Sequence, residues 1–365
     1  MFIKNIELKN FRNYEDFSID FDKKVNLIVG KNAQGKTNLI EAIYISSIGR
    51  SFRTSHDSEL IRFGEKSAFI RVNAEKEVTD TRVEISISSN AKKFIKKDGT
   101  SIRKTSQLLD NIIIVIFSPE DLKIVKDEPE KRRKFIDREL AQIKPAYYDC
   151  LSNYKKTLLQ RNTYLKEDNI RSSILEIWDE QLIKYGSRLI KMRKEFIDQI
   201  NIFSGRIHDS ITNGREKLRV EYDPNIIFFD DIDKQNEVFA EALEKSHDTD
   251  LRMRTTTKGP HKDDMQFFVN DVNARSYGSQ GQQRTCALSL KLAELDFIRE
   301  ETGESGILLL DDVMSELDEE RREYLIRALR GNQLFITATD VDESLTGSYP
   351  EAKIIKIENG KTADH

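Results

Sequence analysis

The sequence predicts an α/β fold: a mostly parallel sheet, an antiparallel β subdomain and an inserted α-helical lobe. Three observations carry that prediction. Apolar residues alternate at period 2 through the N-terminal part; strands alternate with helices toward both ends; and the apolar period becomes that of a helix between about residues 119 and 257. Period 2 sets one face of a strand and period 3.6 one face of a helix. Strands alternating with helices build a parallel sheet covered on both faces.

In chain order, Ile6 and Leu8, then Phe17, Ile19 and Phe21, predict two strands joined around residues 10–16. An apolar strand Val25–Val29 follows, then a glycine-rich loop and a helix beginning near Lys36. Residues 68–74 and 82–88 alternate as strands, and Asp98-Gly99 marks a hairpin between Phe94–Lys97 and 101–104. The apolar run 112–117 reads as a buried strand that Pro119 stops. Leu151, Tyr154, Leu158 and Leu165 then recur at helical spacing, as do Leu182, Tyr185, Leu189, Met192, Phe196, Ile200, Phe203 and Ile207. The second series predicts an amphipathic helix on the order of 40 Å long. These stripes are read as a lobe packing on itself; a partner-binding coiled coil is the alternative. From Gly259 the α/β texture returns, with a loop, a helix 282–300, a strand Ile307–Leu310, a helix 319–329 and a strand 334–337. The expected division is an α/β lobe of residues 1–118 and 259–365, with 119–258 as the inserted helical lobe.

At 365 residues the chain is long enough for two or three domains. With 33% charged residues and no apolar stretch of membrane-spanning length, it reads as soluble and without a membrane partner. No signal-peptide pattern opens it, so a cytoplasmic protein is expected, with Cys150 and Cys286 reduced. The net charge of −4 means that any nucleic-acid surface must be a local basic patch.

Gly30-Lys31-Asn32-Ala33-Gln34-Gly35-Lys36-Thr37 fits G-x-x-x-x-G-K-[ST], between an apolar strand and a helix, the context a phosphate loop requires. Its amides and the helix N-terminus would cradle the phosphates of ATP, Lys36 would reach the β- and γ-phosphates, and Thr37 would take one Mg²⁺ position. The strand Ile307–Leu310 ends in Asp311 and Asp312. Asp311 is the candidate Mg²⁺ ligand, and Asp312 the candidate group that orients or deprotonates the attacking water. Lys36 and Asp312 are therefore the candidate catalytic residues. Without the phosphate loop, the Asp pair would read equally as a helix cap.

Ser279-Gln280-Gly281-Gln282-Gln283-Arg284 resembles the ABC signature, in which a Ser and a Gly amide at a helix N-terminus form a second phosphate cap; an ordinary N-cap serine is the simpler reading of those residues alone. Ser315-Glu316-Leu317-Asp318 matches the D-loop of the same class. The whole chain then resembles the RecF family. Leu8-Lys9-Asn10-Phe11-Arg12 is similar to the opening of RecF and SMC proteins, and Asn32-Ala33-Gln34-Gly35-Lys36-Thr37-Asn38 to RecF in particular. So are Phe117-Ser118-Pro119-Glu120-Asp121-Leu122 with Arg132-Arg133, Gly259-Pro260-His261-Lys262-Asp263-Asp264 and Gly281-Gln282-Gln283-Arg284.

The resemblance implies an ABC-type P-loop ATPase core in which Gly30 to Asn38, with Ser279, Gly281 and Gln282 acting in trans, bind ATP across a homodimer formed on ATP. It implies an ATP-dependent clamp on double-stranded DNA or single/double-strand junctions, a weak DNA-stimulated ATPase with Mg²⁺, and cooperation with RecR, and through it RecO, in loading RecA. Three departures weaken catalysis: Asp312 stands where the class generally has Glu, Thr337-Ala338-Thr339-Asp340 where it often has His, and Glu120 or Asp121 where it has a Q-loop Gln. An ABC transporter subunit is the rival reading, opposed by the N-terminal Asn-Phe-Arg strand and the large insertion. An ATPase-coupled nuclease of the overcoming-lysogenization kind would need a metal domain after Thr339.

Lys92, Lys93, Lys96, Lys97, Arg103 and Lys104 around the Asp98-Gly99 hairpin are candidate DNA-phosphate contacts, or edge-strand charges that block aggregation. Lys131, Arg132 and Arg133 read as helix-surface charges or a further DNA contact. His261 reads as a residue that orders its loop rather than a metal ligand.

Overall fold

The computed structural model describes residues 1–76, 79–109, 111–329, 331–340, 347 and 349–363. They form two compact units: Met1–Asp121 with Glu294–His365, and Leu122–Ala293.

The first unit holds two six-stranded sheets. One is antiparallel, in the order Tyr14–Asp20, Phe2–Phe11, Ser67–Glu75, Asp80–Ser88, Phe94–Lys97 and Thr100–Ile102. Its alternating residues Ile6, Leu8, Ile70, Val72, Val83 and Ile85 are fully buried, as period 2 requires of a sheet with one covered face. The expected hairpin forms at Asp98-Gly99, both at positive φ.

The other sheet runs in the order Lys361–Thr362, Lys353–Glu358, Val25–Val29, Leu334–Ala338, Ile307–Leu310 and Ile114–Phe117. All its pairings are parallel except the hairpin that joins the first two strands. The helix Lys36–Ile48 contacts strands of both sheets and buries ten of its 13 residues. A helix between two sheets needs no polar stripe, which is why its apolar residues surround the axis.

The second unit contains helices Pro129–Ile143, Pro145–Tyr164, Ser172–Ile211 and Ile232–Met253. The third is the predicted amphipathic helix; at 40 residues it is about 60 Å long. Against the expectation of helix and loop here, a three-stranded antiparallel sheet forms from Val272–Asn273, Asp264–Val269 and Leu218–Asp223. Leu218 and Val220, with Met265, Phe267 and Val269, alternate and are buried, a short period-2 signal overshadowed by the long helical stripe.

The interior of this unit is bound by buried charge. Arg161 pairs with Asp179 at 2.6 Å and Asp250 at 2.7 Å. Arg193 pairs with Asp137 at 2.8 Å and Asp263 at 2.9 Å. Arg132, expected as a surface or DNA-contacting charge, is instead 1% exposed and grips Asp264 through both Nε and Nη2. The neighbouring Arg133 donates to the Asp263 carbonyl at 2.6 Å. Arg132 turns inward because Asp264 offers it a carboxylate in bidentate geometry, whereas Arg133 stays half-exposed.

Candidate functional site

Register places the site. Val29 is level with Ala338, and Leu310 with both Ile336 and Phe117. The loops that begin at residues 30, 118, 311 and 339 therefore leave the parallel sheet at the C-terminal ends of its strands, where open α/β sheets bind ligands.

In the first loop Gly35 has φ 118°, and a Cβ there would lie 2.7 Å from Asn13 Nδ2. Only glycine meets both conditions. Its carbonyl accepts the first helical bond, from Leu39 N at 3.0 Å. The amides of Lys36, Thr37 and Asn38 thus open the helix without intrahelical acceptors, and among the described residues no side chain caps this N-terminus. Such an end carries partial positive charge and suits an anion. Lys36 Nζ reaches back over the loop to the carbonyls of Gly30 at 2.6 Å and Lys31 at 3.2 Å. Lys31, Asn32 and Ala33 form the exposed crest of the loop, and Gln34 its partly covered flank.

The acidic strand meets this loop directly. Thr37 Oγ1 lies 3.1 Å from Asp311 Oδ1, a contact across 274 residues of sequence. Thr337 on the intervening strand lies 3.0 Å from the same Asp311 oxygen and 3.2 Å from Asp312 Oδ1, and its hydroxyl accepts from Asp312 N at 2.8 Å. Burial raises the Asp311 carboxyl above its usual range, against the stabilising hydroxyls of Thr337 and Thr37. Asp312 takes a left-handed conformation, φ 53°, just after the strand. Thr337 was visible in the sequence only as part of a departure from the class; the parallel register makes it the hydroxyl shared by both acids.

A second tier supports the loop, and sequence reasoning did not find it. Asn13 Nδ2 donates to the Gln34 carbonyl at 2.9 Å, and Asn38 Nδ2 to Asn13 Oδ1 at 2.8 Å. Tyr14 OH donates to the Gly35 carbonyl at 2.9 Å. The fully buried Glu41 receives Arg12 through Nε at 2.9 Å and Nη2 at 2.7 Å, Ser51 Oγ at 2.5 Å and Arg53 at 3.3 Å. Arg53 also donates to Asn38 Oδ1 at 2.8 Å. A charged Glu inside an otherwise apolar helical run was the available signal, since such a residue is buried only when paired.

Ser279, Gly281 and Gln282 lie in the other compact unit, at the start of the helix Gln280–Thr302. Ser279 Oγ accepts from Gln282 N at 3.2 Å while Gln282 Oε1 accepts from Ser279 N at 2.9 Å, a reciprocal cap that leaves the serine exposed. Gln282 Nε2 also donates to Glu216 at 2.9 Å. In the segment 315–318, Ser315 Oγ donates to the Asp312 carbonyl at 2.8 Å, and Asp318 caps the helix Glu319–Ala328 through Arg321 N at 3.0 Å. Asp121 accepts from Ser118 N and Oγ, both at 2.8 Å, and so closes the turn after the strand Ile114–Phe117. His261 is held by Tyr154 OH at 2.7 Å and the Thr256 carbonyl at 3.0 Å, and burial lowers its pKa to about 4, the state of a loop-ordering neutral imidazole. In the basic hairpin Lys93 is paired with Asp57 at 2.7 Å, while Lys92, Arg103 and Lys104 are exposed.

These groups fit a nucleoside triphosphate with a divalent cation. The loop supplies amides and an ammonium for phosphate, and Thr37 with Asp311 supplies hard oxygen donors. Among the described residues no cluster of three or more His, Cys, Asp or Glu could hold a metal by itself, so a cation here would draw its other ligands from phosphate and water.

The family model described as RecF/RecN/SMC N terminal domain matches residues 2–361. The chain is 45% identical over 364 residues to the DNA replication and repair protein RecF of Agathobacter rectalis, covering 99% of this chain and 98% of that protein. The chain belongs to the RecF family. With the RecF protein of Clostridium tetani it shares 42% identity over 368 residues, covering 100% of both. A solved structure of the recombination mediator protein RecF-ATPrS in the RecFOR pathway superposes with a TM-score of 0.92 at 39% identity, over 99% of this chain and 97% of that one. An SMC head domain from Pyrococcus furiosus, with an extended coiled coil and bound to the C-terminal domain of ScpA, matches at TM-score 0.55 and 17% identity, over 99% of this chain and 95% of that one. That second likeness shows the shared ABC-type head fold alone. The RecF-family fold is thus the predicted α/β class.

Proposed function

We propose that this RecF-family chain is an ATP-gated DNA clamp of recombinational repair and replication-fork maintenance. The observation that carries the reading is the Thr37–Asp311 contact, which joins the phosphate loop and the acidic strand end at one point. The RecF structures with ATP and ATPrS in the RecFOR pathway support it from outside this chain.

In this reading Gly30, Lys31, Asn32, Ala33, Gln34, Gly35, Lys36, Thr37 and Asn38 hold the triphosphate. Lys36 offsets charge at the β- and γ-phosphates, and Thr37 and Asp311 hold Mg²⁺. When bound, Mg²⁺ would neutralise charge on the phosphate oxygens. Asp312 orients water and accepts its proton, with Thr337 steering the carboxylate. Ser279, Gly281 and Gln282 close the site of a second copy in trans, so dimerisation reports ATP and hydrolysis resets it. In this reading the ATPase lobe is the unit Met1–Asp121 with Glu294–His365, and the helical lobe is the unit Leu122–Ala293, which extends past the boundary expected at 258. The shorter arm of Asp312 suits slow, DNA-stimulated turnover, because a misplacement near 1 Å costs about 10²-fold in rate. The clamp would act in the cytoplasm on double-stranded DNA or strand junctions, with RecR and, through it, RecO and RecA.

Sedimentation with and without Mg²⁺–ATP, then with gapped duplex DNA, tests the reading. The parent chain should shift to a dimer on ATP and bind DNA in that state, and Lys36→Ala should do neither. An ATP-indifferent monomer would sink it.

A further inference from the structure

The phosphate loop is touched by a part of the chain that its motif does not include. The strand Lys353–Glu358 runs parallel to the loop's own strand, with Lys353 level with Asn26 and Lys356 with Val29. It continues past the end of that strand, so Ile357, Glu358 and the turn reach the level of the loop. The turn is Asn359-Gly360, with φ 50° and 73°, followed by the return strand Lys361–Thr362. Two positive φ values are the type I′ pattern that Asn-Gly favours.

Hydrogen bonds and close backbone packing join this turn to the loop and its support. Asn359 N donates to Gln34 Oε1 at 2.7 Å, and Gly360 N to the Gln34 carbonyl at 3.1 Å. The same carbonyl accepts from Asn13 Nδ2 at 2.9 Å, so one loop peptide is fixed from two directions. A Cβ at Gly360 would lie 2.5 Å from the Asn13 carbonyl oxygen, and one at Gly30 would lie 2.4 Å from the Ile357 carbonyl oxygen. Both approaches are backbone against backbone, and neither leaves room for a side chain.

We propose that the C-terminal hairpin is a positioning element of the nucleotide site: it clamps Gln34 and, with Asn13, pre-sets the phosphate loop in its binding conformation. The proposal rests on the nucleotide reading of this loop and adds the residues that hold it ready. A loop held in place spends less binding free energy on ordering itself, so the clamp raises affinity without touching the phosphates. Because Asn359 and Gly360 stand on the Gln34 side and not at Asp312, their effect falls on binding and not on the chemical step. Coupling between two groups is reciprocal, so nucleotide in the loop must also stabilise the hairpin.

Amide hydrogen exchange on the full chain reads that reciprocity without any substitution. Adding the ATP analogue AMP-PNP with Mg²⁺ should slow exchange in the peptide spanning residues 353–363 by about tenfold or more, relative to a surface peptide of the helix Ile232–Met253. Two variants read the forward direction. Gly360→Val should weaken AMP-PNP binding and raise the KM for ATP by about tenfold or more, with kcat at saturating ATP within about threefold of the parent. Gln34→Met, which removes only the side-chain acceptor of Asn359 N, should shift the same two quantities less. Unchanged exchange in the parent with nucleotide bound overturns the clamp while leaving the nucleotide site standing, and so does parent affinity in both variants. A parent chain that does not bind AMP-PNP at all overturns both.

Discussion

At the scale of single residues, the proposed function gives the two adjacent aspartates different tasks. Both share Thr337, but Asp311 is buried and also meets Thr37, whereas Asp312, at φ 53°, is partly exposed. A group in the cation shell acts on the bound state; a group on water acts only on the transition state. Asp312→Asn should therefore retain ATP affinity and the ATP-bound dimer, lose hydrolysis by about 10²-fold or more, and stay longer on DNA. Asp311→Asn should instead weaken Mg²⁺–ATP binding itself. Calorimetry and steady-state ATPase rates on the two variants side by side check the division, and equal profiles would refute it. The phosphate-loop residues and the acid pair were legible in the sequence because each is a local motif on a local element. Thr337, Asn13 and Gln34's partners were not, because hydroxyls and amides acquire these roles only from what register brings beside them.

At the scale of elements, the Gly259–Asp264 turn illustrates how a short segment is held by helices distant in sequence. Arg193 on the long helix reaches Asp263 and the Pro260 carbonyl, and Tyr154 on the preceding helix reaches His261. Burial lowers His261 from 6.5 to about 4, so the folded chain holds it neutral. Between about pH 6.5 and 4 the unfolded chain binds a proton that the folded chain does not, and stability falls as pH falls through that window. The loss is on the order of 3 kcal/mol. Thermal melts should show the parent losing more stability than His261→Gln between pH 6.5 and 4.5; parallel curves would assign the acid sensitivity elsewhere.

The helix Gln280–Thr302 carries a separate expectation. Ser279 is exposed at its N-terminus, so a long cation there should leave the fold and monomer ATP binding intact while blocking the trans site. Ser279→Arg should sediment as a monomer with ATP; an unchanged dimer would remove the signature from the interface. The long helix and its neighbours were readable from period 3.6. The sheet of Leu218–Asp223 and Asp264–Val269 was missed because two short strands distant in sequence are each too brief to outweigh that pattern.

At the scale of the whole molecule, a net charge of −4 confines any DNA surface to a local patch. Lys93 is engaged by Asp57, Lys96 lies over the Phe94 ring and Lys97 is half-buried, which leaves Lys92, Arg103 and Lys104 as the exposed cations of the set around the Asp98-Gly99 hairpin. Replacing Lys92, Arg103 and Lys104 by Glu should lower DNA affinity and flatten its salt dependence by about 0.9 log units per tenfold salt for each phosphate no longer neutralised. A parent-like slope would move the footprint elsewhere.

Apart from the strands Lys353–Glu358 and Lys361–Thr362, which its pattern did not predict, the sequence by itself determined the fold class, the strands and helices of the ATPase core, the phosphate loop and the acidic strand end. Those are properties of neighbours along the chain, and periodicity and spacing record them. Only the tertiary structure decided that Thr37 meets Asp311 across 274 residues, that Arg132 turns inward to Asp264, and that the turn Asn359-Gly360 seats on Gln34. The reason is physical. A buried polar group must find a partner wherever the fold supplies one, and the order of strands in a parallel sheet, which sets those partners, is written in no single segment.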